Sequence, residues 1–131
     1  MRGLALGQTA GVERVFTLAD IAEYVALSGD PNPVYQAVRP PVPGPLLGGL
    51  FSYLLGVKLP GPGTNYLKHR LVYPQPAYVD QALTASVQIV RLRPDKSLVN
   101  LRTVCRNAAG ETVCEGEALV LVRDVAYNDD R

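Results

Sequence analysis

The residues best suited to chemistry lie in one stretch, Ser28 to Tyr35, which reads SGDPNPVY. Each of its two prolines fixes its own φ and favours an extended conformation in the residue before it, so the stretch should form a rigid loop. Gly29 permits a positive φ just before Asp30, and Asn32 can bond its own backbone or Asp30. Such a loop would hold the Asp30 carboxylate in place for acid or base work. The alternative is an Asx turn that ends a helix.

The same residues resemble the hydratase motif of the MaoC-like proteins, a family that includes (R)-specific enoyl-CoA hydratases. The motif reads Ser-Gly-Asp-x-Asn-Pro, then an apolar residue and usually a histidine, whose position here is taken by Tyr35. The resemblance continues in the same order over residues 8 to 122, which is more specific than any one motif. Its further matches are Gly44, Ser52, Leu59-Pro60-Gly61-Pro62-Gly63, Tyr73-Pro74-Gln75-Pro76 and Asn107-x-x-Gly110-Glu111.

The family's reaction defines what the matching residues would do. Hydration of a trans-2-enoyl thioester needs a base for the attacking water, an acid for the α carbon and donors for the developing enolate oxygen. The resemblance implies that Asp30 and Tyr35 share the catalytic water and that the backbone N–H of Gly44 polarises the thioester carbonyl. It also implies that Ser52 orients Asp30. The residues expected to bind substrate are Asn32, Pro33, Leu46 and His69.

Two of these assignments have structural alternatives. Gly44 would begin a buried helix, whose first N–H groups are unpaired and carry partial positive charge, but it could equally form a plain turn between Pro43 and Pro45. Ser52 is expected to face inward on an otherwise apolar helix, where a hydroxyl can instead bond back to its own helix.

Tyr35 is the departure from the family pattern. A phenol with a pKa near 10 donates a hydrogen bond but is a poor base at neutral pH, whereas imidazole is well suited. Losing one general acid or base costs on the order of 10² to 10⁴ in rate. Either Asp30 alone sustains slow hydration, or this chemistry has been lost.

His69 is the single histidine and lies on a predicted strand. It shares a face with Leu67 and Leu71, so it should point toward the core, where it either replaces the missing catalytic group or makes a packing hydrogen bond. Lys68 and Arg70 lie on the opposite face and could meet coenzyme A phosphates or simply water. One histidine excludes a His-rich metal site.

Composition indicates one globular domain spanning residues 1–131, with an ordered core over about 12–123. The chain has 131 residues, 47% hydrophobic and 19% charged, with a net charge of +1, which argues against nucleic-acid binding. The longest apolar stretch, Pro41 to Val57, is too short and too rich in Gly and Pro to span a membrane. The N-terminus does not resemble a signal peptide, so a cytoplasmic location is expected.

The periodicity predicts one helix capped by Thr17 and ending near Leu27, and a buried central helix over Leu46 to Val57. Between them, residues 36–45 contain four prolines and form a connector shorter than in the family. A sheet wrapped around one apolar helix is an α+β hot-dog fold, which the resemblance also implies. The predicted strands are Glu13 to Phe16, Asn65 to Tyr73, Leu83 to Arg93, Leu98 to Asn107 and Thr112 to Val122.

Cys105 and Cys114 flank the predicted turn Asn107 to Gly110. With Gly110 in the left-handed position of a three-residue hairpin loop, Cys105 should pair with Val113 and Cys114 with Val104. The thiols would then lie on different faces of the sheet and stay reduced.

Together these features predict a MaoC-like hydratase or dehydratase that acts on a 2-enoyl thioester of coenzyme A or acyl carrier protein. The resemblance implies a homodimer and no cofactor other than the thioester carrier. Two alternatives stay open. One is a hot-dog acyl-CoA thioesterase, and the other is a non-catalytic acyl-binding subunit that supports a second hot-dog chain with the complete motif.

Overall fold

Five antiparallel strands form one sheet in the computed structural model, which describes residues 3–123. The strand order is β1-β3-β4-β5-β2, so β1 and β2 are the edges and β3, β4 and β5 form a meander through short turns. This architecture confirms the predicted α+β hot-dog fold. The strands are β1 Thr9–Val15, β2 Thr64–Val72, β3 Ala82–Arg93, β4 Leu98–Arg106 and β5 Thr112–Val122.

The sheet packs against the central helix α2, Gly44–Tyr53, which continues into a π-helical turn over Leu54–Lys58. The helix begins two residues before its predicted start, because Pro45 fits its first turn, where no backbone donor is needed. Its inward side chains are buried against the inward residues of β3, β4 and β5. On the helix these are Leu47, Leu50, Phe51, Leu54 and Leu55.

Helix α1, Leu18–Ser28, leads the chain to the Asp30 loop. Thr17 caps the helix as predicted and forms a capping box with Asp20. The Thr17 hydroxyl accepts from the Asp20 N–H at 3.2 Å, and the Asp20 carboxylate accepts from the Thr17 N–H at 2.9 Å. Gly29 ends the helix with φ of 70°. Ile21 is its one fully buried residue, so α1 is more exposed than its apolar stripe suggested.

Strand β1 begins at Thr9, four residues before the predicted Glu13. Pairing with β3 extends from Val15 back to Thr9, and the Gly7 N–H continues it by donating to the Ile89 carbonyl at 2.9 Å. Gly11 suits this pairing, because a Cβ there would lie only 3.2 Å from the Ala85 carbonyl oxygen. The C-terminal residues 124–131, predicted to fray, lie outside the described residues.

The predicted register of the two cysteines is wrong. Gly110 does adopt a positive φ of 82°, but a bulge between the Cys105 and Arg106 pairings adds one residue, Val113, to β5. Cys105 therefore lies directly opposite Cys114, and both are buried on the core face as free thiols.

Neither helix within residues 3–123 has the length and apolar character needed to cross a membrane.

Candidate active site

Local hydrogen bonds hold Asp30, and one of them reaches its carboxylate. The Ser28 hydroxyl accepts from the Asp30 N–H at 3.2 Å, and Oδ1 of Asp30 accepts from the Asn32 N–H at 3.1 Å. Asn32 in turn accepts from the Val34 N–H at 3.1 Å and caps a 3₁₀ turn that begins at Pro33. The loop is thus both rigid and an Asx turn. Oδ2 of Asp30 has no hydrogen-bond partner within residues 3–123, so it can accept a proton.

Tyr35 lies in the same crevice as Asp30. The crevice has a volume of about 360 Å³, and Asp30, Asn32 and Tyr35 line it together with the side of α1 that carries Ile21. Burial raises the pKa of the Tyr35 phenol, and the nearby Tyr24 and Asp30 raise it further. Tyr35 is therefore protonated at neutral pH and acts as a hydrogen-bond donor rather than as a base.

Gly44 is the first residue of α2, which rules out the plain-turn alternative. Its N–H has no acceptor within the described part of the chain. The phenol of Tyr73 lies directly over it: a Cβ added to Gly44 would come within 3.0 Å of both Cζ and Oη of Tyr73. Gly44 thus combines an unpaired donor with a position where only a hydrogen fits.

Ser52 is exposed, so the prediction that it faces inward is wrong. The neighbouring Phe51 is fully buried, and each residue of a helix is rotated by about 100° from the one before. Ser52 therefore lies to one side of the sheet-facing stripe. Within residues 3–123 its hydroxyl bonds neither Asp30 nor its own helix.

Leu46 lines a separate groove of about 470 Å³ between α1, α2 and β1. The groove wall is mainly apolar, and Gly49 widens it because no heavy atom lies within 4 Å of its Cβ position. Tyr24 lines the groove, and its ring contacts that of Tyr35, which lines the Asp30 crevice. Other groove residues are Val12, Phe16, Leu27, Leu50 and Tyr53.

His69 points toward the core, as predicted, but it is committed to packing contacts. Its Nε2 lies 2.8 Å from the Thr103 hydroxyl, and its ring centroid lies 5.6 Å from that of Phe51 and 5.4 Å from that of Tyr66. Burial lowers the pKa of His69, and its buried Nδ1 has no partner. His69 lines neither the crevice nor the groove.

The predicted site residues therefore fall into separate groups. Asp30, Asn32 and Tyr35 share the crevice with exposed Pro33 beside them, whereas Leu46 lies in the groove. The contacts of Tyr24 and Tyr73 were not predicted. Tyr73 is 29 positions from Gly44, and no local pattern links residues so far apart. Within residues 3–123, no three His, Cys, Asp or Glu side chains come close enough to hold a metal ion.

Comparison with known proteins agrees with this fold. No family model matches the chain. The (R)-specific enoyl-CoA hydratase of Aeromonas caviae is 38% identical over 128 residues, which cover 91% of this chain and 96% of that protein. The (R)-specific enoyl-CoA hydratase of Rhodospirillum rubrum is 34% identical over 125 residues, covering 88% and 86%. A solved (R)-hydratase from A. caviae has a TM-score of 0.87 at 36% identity, covering 94% of this chain and all of that one.

The chain therefore belongs to the (R)-specific enoyl-CoA hydratase family of MaoC-like hot-dog proteins, as its motif implied.

Proposed function

We propose that the protein is a hydro-lyase that adds water to the double bond of a trans-2-enoyl thioester and catalyses the reverse dehydration. The observation that carries this proposal is the Asp30 loop, where hydrogen bonds hold a carboxylate with one free oxygen in a chain of the hydratase family. Relatives named for both directions, a hydratase and a 3-hydroxybutyryl-CoA dehydratase, support it. The thioester carrier is coenzyme A or acyl carrier protein.

In this mechanism Asp30 takes a proton from water as the water oxygen bonds to the β carbon. Electrons move to the thioester oxygen, where the Gly44 N–H stabilises the enolate. The protonated Asp30 carboxyl then returns a proton to the α carbon, because Tyr35 holds its own proton too tightly to supply it. Tyr35 donates a hydrogen bond to the water. With one carboxyl serving as both base and acid, turnover should be slower than with the family's Asp and His pair.

The other predicted roles are kept as part of this proposal. Asn32 shapes the loop and Pro33 starts its turn, while Leu46 contacts the acyl chain at the mouth of the groove. Ser52 and His69 do not line the crevice, so they would contact only those parts of the substrate that extend beyond it. Addition of water is not a redox step, so we expect no cofactor besides the carrier. The cytoplasmic location stays a prediction.

We also propose that two copies pair through β2. Among the described residues this edge strand pairs only with β5, and it exposes apolar side chains, with Leu67 50% and Val72 58% exposed. An exposed apolar edge is normally covered by another strand. A second copy would supply one and join the two sheets. A second hot-dog chain carrying the complete motif is the alternative partner.

The proposal is tested by following the loss of the conjugated absorbance of crotonyl-CoA. Asp30→Asn keeps an oxygen for the Asn32 N–H but removes the base, so turnover should fall at least about 10²-fold. Asp95→Asn, the same change in an exposed turn, is the matched control and should keep native activity.

The outcomes separate the proposal from its rivals. Turnover that survives in Asp30→Asn would contradict the role of Asp30. Release of free coenzyme A without formation of the 3-hydroxy product would identify a thioesterase instead. Binding of crotonyl-CoA with no reaction in the native protein would favour the non-catalytic subunit.

A further inference from the structure

The phenol of Tyr73 packs against the backbone of Gly44. Tyr73 directly follows β2, and Gly44 begins α2, so the contact joins the edge of the sheet to the start of the central helix. Oη and Cζ of Tyr73 each lie 3.0 Å from the position that a Cβ on Gly44 would occupy. The residue is 48% exposed, so its hydroxyl lies at the surface of the contact rather than deep in the core.

The Tyr73 hydroxyl and the Gly44 N–H are close enough to bind the same oxygen atom. A Cβ position lies about 2.5 Å from the nitrogen of its own residue. With Oη 3.0 Å from that position, the Gly44 nitrogen and the Tyr73 oxygen are at most about 5.5 Å apart. An oxygen that accepts from an N–H at about 2.9 Å and from an O–H at about 2.7 Å, along lone pairs about 120° apart, separates the two donors by about 4.9 Å, which lies within that limit.

The Tyr73 hydroxyl is also protonated, so it can donate a hydrogen bond. The Cys114 thiol is a neighbour of this hydroxyl and contributes to raising the pKa of Tyr73. Burial is the larger cause and raises the pKa of Tyr73 in the same direction, which keeps the phenol protonated. Sulfur is a weak acceptor, so a carbonyl or enolate oxygen would be a better partner.

We propose that Tyr73 is a catalytic residue that donates a second hydrogen bond to the thioester oxygen, beside the N–H of Gly44. The oxygen would accept this hydrogen bond as it enters, and would bind most tightly when it carries the enolate charge. A pair of donors is the usual composition of such an oxyanion site. This inference rests on the proposed function, since it assumes that a thioester carbonyl reaches Gly44.

The test compares Tyr73→Phe, which keeps the ring over Gly44, with Tyr66→Phe, the same change on the same edge strand. Two readouts are needed. The first is the kcat for crotonyl-CoA hydration. The second is the near-ultraviolet absorbance of the acetoacetyl-CoA enolate, which rises when bound donors stabilise the enolate and which requires no turnover. Melting curves verify that both variants fold, as expected when only one half-exposed hydroxyl is removed.

We expect Tyr73→Phe to lower kcat by about 10- to 100-fold with KM changed less than about threefold, and to reduce the enolate absorbance by at least about threefold. Tyr66→Phe should match the native protein in both. Equal kcat and equal enolate absorbance in Tyr73→Phe and native protein would overturn the role of Tyr73 while leaving the hydratase proposal intact.

If the native protein shows no turnover, the proposed function is contradicted. The absorbance of the acetoacetyl-CoA enolate would then be the one readout that tests the role of Tyr73. A native enolate signal that is lost in Tyr73→Phe would support the donor. An enolate signal that is absent, or identical in the two proteins, would overturn it.

Discussion

The rings of Tyr24 and Tyr35 pack edge to face, with centroids 5.8 Å apart and planes at 78°. Tyr24 belongs to α1, so the helix holds Tyr35 in the crevice beside Asp30. The Tyr35 ring, at the position where the motif predicts a histidine, is therefore already oriented by this contact. Replacing the Tyr35 ring with another aromatic ring changes the chemistry of the crevice and keeps a ring contact with Tyr24.

Tyr35→His should raise kcat for crotonyl-CoA hydration by about 10- to 10³-fold, because an imidazole with a pKa near 6.5 exchanges protons at neutral pH and a phenol does not. The rate should also gain a pH dependence near that pKa. Tyr35→Phe is the control: it keeps the ring contact with Tyr24 and adds no base. An equal rate for Tyr35→His and Tyr35→Phe would mean that position 35 does not face the reacting water.

Gly44→Ala should destabilise the fold, because its methyl group would meet the Tyr73 phenol at 3.0 Å. Displacing that ring should lower the free energy of unfolding by about 1–3 kcal/mol in urea titrations. The control is Gly49→Ala in the same helix, where no heavy atom lies within 4 Å of the new methyl. This change should stabilise by about 0.5–1 kcal/mol through helix propensity. Similar effects of the two substitutions would contradict the tight contact at Gly44.

Stability should fall as the pH drops below about 6.5. Burial lowers the pKa of His69 in the folded chain, so the unfolded chain binds the proton first. The contribution of neutral His69 is complete above the unfolded pKa of about 6.5 and is lost as the pH falls from there through the folded pKa.

Urea titrations between pH 7.5 and 5.5 measure this loss, and His69 is the single histidine of the chain. His69→Gln can still bond the Thr103 hydroxyl and should flatten the pH dependence in this range. A slope unchanged by His69→Gln would assign the effect to other groups.

The two cysteines should resist thiol reagents in the folded protein. Burial raises the pKa of Cys105 to about 11, and burial with the nearby Cys105 and Glu115 raises that of Cys114 to about 12. At pH 8 only about one thiol in 10³ or fewer is then ionised. Ellman's reagent should label neither thiol before unfolding and both afterwards. Fast labelling of the folded protein would show that the β4–β5 hairpin opens, and Cys114→Ala would identify the thiol.

Local sequence determined the elements that build the crevice. Thr17 and Asp20 define the start of α1 and Gly29 its end, and the two prolines with Asn32 fix the loop that carries Asp30. These features were predictable because their interactions span only a few residues. The apolar central helix and the β meander were likewise evident from hydrophobic periodicity, and the hot-dog fold followed from them.

Tertiary structure decided how distant residues meet. The predicted register placed the two thiols on different faces of the sheet. A single bulge at Val113 puts them on the same face, since side chains alternate and one extra residue changes every later pairing. Ser52 proved exposed because the exact rotation of α2 depends on packing against the sheet. A Cβ on Gly116 would collide with the Arg70 carbonyl, so β5 and β2 come together there only because the residue is glycine.

The contact between Gly44 and Tyr73 was likewise decided by the tertiary structure. The family resemblance pointed to Gly44, but only the packing of the residue after β2 against the start of α2 places a phenol over it. Sequence alone thus determined the residues of the Asp30 loop and their local geometry, because short-range hydrogen bonds and fixed φ angles set them. The contact of Tyr73 with Gly44 depends on register and helix rotation, which only the folded chain as a whole specifies.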